Sequence, residues 1–350
     1  MSKLEPPTER SLDRRSRLNS VIDSPSLQHV TRHSDEAAVV QIENCVGFVQ
    51  VPVGIAGPLR ISGPDTAAFN ACGGMQFEVL KEAMSRAPMF LFASPGHAIA
   101  FSRAVPSLRI DFARWAESTS RYVQVQELEA SIISSSVHLY CSYFCGSAAG
   151  QNMVSKSTQQ ACEMLRISEY AKRFEIKGFF IEGQLASDKK PSWGNVQRPR
   201  GVEVLAWGII TNAACEEALG CSTERLYRTQ TALKEGGIRN GQSGCNINTA
   251  NIVAALFVST GQDELKMTLY FPSLPFGTVG GGTLYPSQRE CLDMLGCSEP
   301  ARKRKLAGKI AAFAVALDAS TSAAIANDTF TKSHMRLARG EIYGIRVPKL

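Results

Sequence analysis

Between residues 89 and 181, strand-like and helix-like segments alternate in a fixed order. The strand-like segments are short, apolar and rich in β-branched or aromatic residues, which predicts β-structure for Met89–Ala93, Tyr122–Glu127, Ser136–Phe144 and Phe174–Ile181. Helical spacing of apolar residues predicts two helices, Ser107–Ser118 and Gln151–Ile167. The resulting order, β-α-β-β-α-β, is that of a ferredoxin-like domain.

Larger regions flank this pattern on both sides, which indicates a small domain inserted into a bigger one. Residues 1–35 are polar and arginine-rich and predict a lead-in segment. After residue 200, strand and helix patterns continue, and they end in a long alanine-rich helix, Ala301–Asp328. We therefore predict an α+β protein with a large domain over 36–87 and 182–350 and an inserted small domain over 88–181.

Composition restricts the class of protein only weakly. The 350 residues are 44% hydrophobic, enough for a sizeable core, and the net charge of +6 fits anionic small molecules as well as nucleic acid. The ten cysteines include no CxxC pair or zinc-type spacing, so we expect reduced, mostly buried thiols. We expect no membrane span, because the most apolar long segment, 306–326, carries Lys309 and Asp318 and has the spacing of a core helix.

Four short motifs occur in the order in which one enzyme family carries them. They are Val46–Pro52 (VGFVQVP), Ser187–Pro191 (SDKKP), Gly277–Thr283 (GTVGGGT) and Lys332–Met335 (KSHM). Together they resemble the catalytic region of HMG-CoA reductase, the enzyme that reduces a thioester to mevalonate. The resemblance covers most of residues 40–340. It implies the two-domain organisation given above, with the small domain binding cofactor and the large one binding substrate and dimerising.

Reduction of a thioester needs a cation for the developing oxyanion and an acid for the departing thiolate. The resemblance implies that Lys189 stabilises the oxyanion, that Asp263 holds the charge and proton of that lysine, and that His334 protonates the coenzyme A thiolate. Each residue by itself is more typical of a solvated loop or a surface position than of an active site.

The resemblance also implies a set of ligand-binding residues. The arginine that grips the substrate carboxylate corresponds to Arg86, for which a bidentate guanidinium contact gives a physical reason. The other substrate-side residues are Asp188, Lys190, Asn251, Ser333 and Arg339. The cofactor is NADPH, and its predicted contacts are Ser147, Gly150, Asn152, Met153, Gly280, Gly281 and Gly282. No GxGxxG segment follows a strand, so we expect no ordinary Rossmann domain.

The chain departs from the family pattern at several places. The family motif D-A-M-G-M-N-M is S-A-A-G-Q-N-M here, so Ser147 replaces an aspartate. The T-T-E-G segment, whose glutamate acts as an acid, is missing between Gly57 and Asn70, and a hairpin-like stretch is missing after Asp263. In addition, Glu182 stands where the family has a serine. Three explanations fit these gaps: a degraded or repurposed reductase, an enzyme completed by a partner subunit, or a gene model from which coding sequence has been trimmed.

The function implied is NADPH-dependent reduction of 3-hydroxy-3-methylglutaryl-CoA to mevalonate and CoA by a homo-oligomer. The implied location is cytoplasmic, with possible peripheral association with the endoplasmic reticulum. The alternative is a non-catalytic relative that binds ligand or pairs with an active reductase. A basic nucleic-acid binder built on Arg302–Lys305 is disfavoured, because no aromatic residues interleave that charge run, so we expect no nucleic-acid partner.

Overall fold

The computed structural model describes residues 48, 72–186, 192–198, 200–242, 244, 246–247, 249–260 and 270–330. The chain divides into two units, residues 1–56 and 57–350, and every element described below belongs to the second unit. The strands are β1 Met75–Arg86, β2 Met89–Phe92, β3 Gln124–Ile133, β4 Ser136–Phe144, β5 Ile176–Phe180, β6 Gly201–Gly208 and β7 Tyr270–Leu274. The α-helices are α1 Pro95–Glu117, α2 Gln151–Ile167, α3 Glu169–Phe174, α4 Trp193–Gln197, α5 Asn212–Leu219, α6 Thr223–Arg239, α7 Thr249–Ser259, α8 Pro286–Met294 and α9 Lys303–Ala326.

The predicted ferredoxin-like pattern forms an antiparallel sheet. Its strand order is β5-β2-β4-β3, in which β2 pairs with both β4 and β5 and the β3–β4 hairpin closes the other edge. Helices α1 and α2 bury their apolar faces in the core of this sheet, with Phe101, Leu108 and Phe112 from α1 among the most buried side chains. The α+β class is therefore confirmed.

Helix α1 begins twelve residues before its predicted start at Ser107. Pro106 lies inside the helix, although proline removes one backbone hydrogen bond there. The segment before it also has an apolar face, since Ala98, Phe101 and Val105 are all buried. We attribute the longer helix to burial of this face, which outweighs the local cost of the proline.

Residues 75–86 carry no predicted element, yet they form β1, the longest strand described. Most of β1 pairs with β6, and its last three residues pair with β4. Strand β1 ends before Ala87-Pro88, and β2 then pairs along the same side of β4. Between the two strands, the Leu139 N–H donates to the Pro88 carbonyl over 2.9 Å. Strand β1 thus joins two groups of strands into one seven-stranded sheet.

A second core lies on the β1–β6–β7 part of the sheet. Helix α9 packs against these strands, and its Leu306, Ala307 and Ile310 are fully buried with Phe271 and Leu274 of β7. By length and apolarity α9 is the one candidate span among the described residues, but about half of its side chains are buried inside the protein, as in a core helix. The domain limits at 88 and 181 stay a prediction.

Candidate cofactor and substrate site

The turn before α2 contains the first predicted cofactor segment. Gly150 begins the helix with φ 91°, a left-handed conformation that favours glycine. A side chain there would also be blocked, since a Cβ would lie 2.6 Å from the Cys145 Sγ. No side chain caps α2, so its first backbone N–H groups have no capping acceptor from the residue that begins the helix. The start of a helix, where the helix dipole is positive, suits an anion.

The second predicted cofactor segment lies directly against the first. The Thr278 N–H donates to the Ser147 carbonyl over 2.9 Å. Gly277 approaches so closely that a Cβ would lie 2.5 Å from the Ala149 nitrogen. Beyond this contact, Gly280 and Gly281 are exposed and border open space. Two motifs that begin 130 residues apart along the chain therefore form one glycine-rich surface.

Ser147, which replaces the family aspartate, uses its side chain inside the protein. Its Oγ accepts a hydrogen bond from the Ala301 N–H over 2.8 Å, just before α9 begins. The hydroxyl therefore ties the first cofactor segment to the start of α9. A serine there supplies a neutral hydrogen-bonding group where the family has a carboxylate.

Lys303, the first residue of α9, contacts the same turn through its side chain. No motif in the sequence predicts this contact. The Lys303 Nζ lies 3.1 Å from the Ala148 carbonyl and 3.4 Å from that of Gly146, and the side chain is 6% exposed. Burial lowers the pKa of Lys303, and the Glu82 carboxylate, 3.9 Å away, opposes that shift. Burial raises the pKa of the neighbouring Cys145 thiol to about 11, with Lys303 opposing.

The basic run 302–305 is thus not one free cationic patch. Lys303 is buried, Arg302 pairs with Glu299 at 3.1 Å, and Arg304 pairs with Glu82 at 3.2 Å. Two arginines that are paired with carboxylates, and a lysine that faces inward, are a poor surface for a phosphate backbone. The geometry adds nothing to the nucleic-acid hypothesis.

Arg86, the predicted ligand for the substrate carboxylate, ends β1 and is mostly buried. Its Nη1 donates to Glu182 Oε2 over 2.5 Å, and its Nη2 donates to the Ser155 hydroxyl. The Ser155 hydroxyl in turn donates to the Gln151 carbonyl over 2.9 Å, so Arg86 also contacts the first turns of α2. The predicted substrate arginine therefore lies close to the first cofactor segment and already holds a carboxylate of this chain.

The described residues on either side of segment 187–191 make hydrogen bonds to other parts of the protein. Before it, the Ala186 carbonyl accepts from the buried Arg200 Nη1 over 2.6 Å, and the same nitrogen donates to the Ser85 carbonyl over 2.7 Å. After it, Ser192 caps α4, whose Asn195 carbonyl accepts from Ser273 of β7. Arg200 was not a predicted site residue, and a single arginine at a strand edge gives no sequence signal for this role.

Several predicted site residues lie outside the described residues. They are Asp188, Lys189, Lys190, Asp263, Ser333, His334 and Arg339. Asn251 lies in α7, and its side chain is outside the description. Asn152 and Met153 are in the first turn of α2, where the Met153 sulfur accepts from the Ser120 hydroxyl. The described geometry thus covers the predicted cofactor segments and Arg86, and the catalytic roles stay predictions.

Taken together, these contacts place the glycine-rich surface and the start of α2 beside the Arg86–Glu182 pair. Close-approach glycines and a helix start suit phosphate oxygens, and a guanidinium suits a carboxylate. Among the described residues, no cluster of histidine, cysteine and acidic side chains could hold a metal ion. The glycines and the start of α2 are the described features that suit an anionic ligand.

Comparison with known proteins agrees with this geometry. The family model for hydroxymethylglutaryl-coenzyme A reductase matches residues 65–339. The chain is 32% identical to the 3-hydroxy-3-methylglutaryl-coenzyme A reductase of Haloferax volcanii, covering 87% of this chain and 86% of that protein. It is 29% identical to that of Methanocaldococcus jannaschii, covering 89% of each. It is 30% identical to reductase 1 of Hevea brasiliensis, covering 91% of this chain and 66% of that protein.

The fold agrees with that of solved reductases. A class II 3-hydroxy-3-methylglutaryl-CoA reductase from Streptococcus pneumoniae bound to NADPH superposes with a TM-score of 0.62 at 14% identity, covering 93% of this chain and 86% of that one. At this identity the likeness concerns the fold. The family match itself spans most of the chain, from before β1 to beyond α9. The chain therefore belongs to the hydroxymethylglutaryl-coenzyme A reductase family.

Proposed function

We propose that this chain binds NADPH and reduces 3-hydroxy-3-methylglutaryl-CoA to mevalonate and free CoA, in isoprenoid biosynthesis. One observation carries the proposal beyond family membership. The two predicted cofactor segments, far apart in the chain, meet through the Thr278–Ser147 hydrogen bond next to the predicted substrate arginine. Two turns with unrelated roles would not be expected to lie in direct contact.

The residues present fit a dinucleotide phosphate. The start of α2 after Gly150 would hold phosphate oxygens, and the exposed Gly280 and Gly281 would allow close approach of the backbone, with Gly282 next to them. Asn152 and Met153, in the first turn of α2, would also contact the cofactor. When bound, NADPH supplies one hydride, so conversion of the thioester to the alcohol uses two NADPH molecules in turn.

The catalytic roles proposed here rest on the family motifs. The Lys189 ammonium would stabilise the negative charge that develops on the substrate oxygen in each reduction. Asp263 would keep that lysine charged and oriented. His334 would give its proton to the departing thiolate, a role that suits an imidazole with an ordinary pKa near neutrality.

Substrate recognition completes the proposal. Arg86 would hold the free carboxylate of the acyl group, and Arg339 would face the phosphates of coenzyme A. The remaining substrate-side residues would be Asp188, Lys190, Asn251 and Ser333. We propose that the chain forms a homo-oligomer, because the family builds its sites across subunits. We also propose a cytoplasmic location, which includes peripheral association with the endoplasmic reticulum.

The test is turnover by the purified full chain. Oxidation of NADPH would be followed by absorbance in the presence of 3-hydroxy-3-methylglutaryl-CoA, with mevalonate and free thiol measured as products. Lys189→Ala should lower kcat by about a hundredfold or more, since it removes the charge that stabilises the oxyanion. Lys177→Ala is the control, because that lysine pairs with Glu175 at an exposed position on β5 and should leave turnover unchanged.

A second candidate is a ligand-binding relative without turnover. Two observations favour it: the chain lacks the T-T-E-G segment, and the Glu182 carboxylate forms an ion pair with Arg86, where a substrate carboxylate would bind. Losing one acid from a group of catalytic residues that act together costs orders of magnitude in rate. NADPH binding without oxidation would support this candidate, and product formation that depends on Lys189 would exclude it. If the chain neither binds NADPH nor oxidises it, both candidates are wrong.

A further inference from the structure

Glu182 is fixed in place by the turn in which it lies. Its Oε1 accepts from the Gln184 N–H over 2.8 Å, and Gln184 has φ 64°, a left-handed conformation that costs energy in a residue other than glycine. Next to it, the Gly183 N–H donates to the Ala87 carbonyl over 2.8 Å, at the break between β1 and β2. The carboxylate is therefore held by the backbone and is not a loose surface group.

The turn presents the second oxygen of this carboxylate to Arg86. Glu182 Oε2 lies 2.5 Å from Arg86 Nη1, and the two side chains are only 27% and 19% exposed. A charge-assisted contact with limited access to water is stronger than an exposed ion pair. The other end of the guanidinium is held by Ser155, which is itself fixed to the Gln151 carbonyl. Arg86 thus has an internal carboxylate where a ligand carboxylate would bind.

A ligand carboxylate can reach Arg86 in two ways, and both cost free energy. It can displace Glu182, which then loses a partly buried partner and the support it gives to the turn. It can instead bind beside Glu182, which places two like charges close together in a region with little water. Either route weakens the binding of an acidic ligand relative to a site with a neutral residue at position 182.

We propose that Glu182 is an internal competitor for the Arg86 guanidinium and sets the affinity and selectivity of this site for carboxylate-bearing ligands. The inference rests on the proposed function, because it takes Arg86 as the group that receives the acyl carboxylate. It adds the residue that controls that contact. The site binds an acidic acyl group more weakly as long as Glu182 holds Arg86.

The experiment compares carboxylate binding in four forms of the full chain. Calorimetry would measure the Kd of free 3-hydroxy-3-methylglutarate for the unchanged protein, Glu182→Gln, Glu182→Ser and Arg86→Gln. The glutamine variant keeps an oxygen that can accept from Gln184, so it preserves the turn, and serine is the residue the family carries. Both should bind about tenfold tighter or more than the unchanged protein, and Arg86→Gln should bind weakest.

A matched control separates this effect from a general change of charge. Glu129→Gln removes the carboxylate of another arginine pair, with Arg198 at 2.7 Å, on β3. It should leave the Kd unchanged. Thermal unfolding and NADPH affinity would be measured for each variant, and both should stay close to the values of the unchanged protein for Glu182→Gln.

The outcomes distinguish this inference from the proposed function. If the unchanged protein binds the dicarboxylate as tightly as both Glu182 variants, and Arg86→Gln binds it more weakly, the competition is wrong and the substrate site stands. If Arg86→Gln binds as well as the other forms, or no form binds, Arg86 does not receive a carboxylate and both proposals are wrong. A neutral analogue, the dimethyl ester, should bind all four forms alike, and a gain for Glu182→Gln with that ester would also contradict the competition.

Discussion

At the scale of single residues, the site depends on charged groups that are partly or wholly withdrawn from water. Arg86 and Glu182 share one contact, and the Lys303 ammonium lies under the turn that opens α2. A buried ammonium is costly unless several acceptors surround it, and here two backbone carbonyls and Glu82 do so. Lys303 is therefore a positioning residue for the first cofactor segment.

We predict that Lys303→Met weakens NADPH binding about tenfold or more, because the carbonyls of Gly146 and Ala148 lose a charged donor and the turn relaxes. The KM for the thioester should change little. Fluorescence titration with NADPH measures the effect. Lys305→Met is the control, since that lysine is exposed two positions along the same helix. Equal NADPH affinity in both variants would contradict the role of Lys303.

Arg86 shows what a motif in sequence can and cannot predict. Family motifs identify it as a carboxylate ligand, and the structure places it beside the start of α2, as a substrate residue needs. The motif does not reveal that Glu182, 96 positions later, fills that contact. Lys303 and Arg200 carry no motif at all. Their roles follow from carbonyl groups that only the folded chain brings within reach.

At the scale of elements, α9 packs so closely on the sheet that one helix position has no space for a side chain. Gly308 of α9 faces Phe77 of β1, and a Cβ on Gly308 would lie 2.3 Å from the aromatic ring. Both elements belong to the second core, where Leu306 and Ile310 flank the glycine on the same helix. The missing side chain is what lets α9 approach the strand.

We predict that Gly308→Ala destabilises the protein by about 1–3 kcal/mol, because the overpacking cost exceeds the gain in helix propensity. Gly236→Ala in α6 should instead stabilise it by about 0.4–1 kcal/mol, since nothing lies within 4 Å of the Cβ position there. Urea unfolding of the two variants measures both effects. If the two substitutions shift stability in the same direction, the packing explanation is wrong.

Element prediction failed where pairing, and not local pattern, decides the structure. Residues 75–86 mix apolar residues with Glu, Lys, Ala and Met, which have little preference for strands. Pairing with β4 and β6 on the two sides nevertheless makes them the strand that joins the sheet. In contrast, β4 and α2 have the predicted limits, because their apolar patterns are strong and turn residues bound them.

At the scale of the whole molecule, burial shifts the pKa values of ionisable groups in the direction that favours their neutral forms. All eight described cysteines are free thiols, and six of them are buried. Burial raises the pKa of Cys141 and Cys162 above the ordinary value of 9.0, and that of Cys145 to about 11. Burial lowers the pKa of Lys303, which works in the opposite sense.

We predict that stability falls as the pH rises from about 9 to about 11. In that range the unfolded chain releases thiol protons that the folded chain retains, so deprotonation favours unfolding. Lys303 and Lys309 contribute the reverse, since their lowered pKa raises stability with pH below 10.5. These two amines are opposed by five thiols whose pKa burial raises, those of Cys141, Cys145, Cys162, Cys215 and Cys297. Urea midpoints across this range measure the slope.

Cys145→Ala serves as the control for the thiol contribution. It should make the alkaline loss of stability shallower, because it removes a thiol whose pKa in the folded protein is about 11. A midpoint that is constant or rises over the same range would contradict the assignment. Exposed ion pairs contribute little to this slope, since water screens them.

The sequence by itself determined the α+β class, the ferredoxin-like order of the small sheet and the family, because local apolar periodicity and short motifs are properties of contiguous residues. Only the tertiary structure decided that β1 joins the two groups of strands, that the two predicted cofactor segments touch, that Glu182 contacts Arg86 and that Lys303 contacts the turn before α2. These features depend on contacts between residues that lie tens to hundreds of positions apart. Such contacts are set by packing and by the pairing of buried polar groups, which no local pattern encodes.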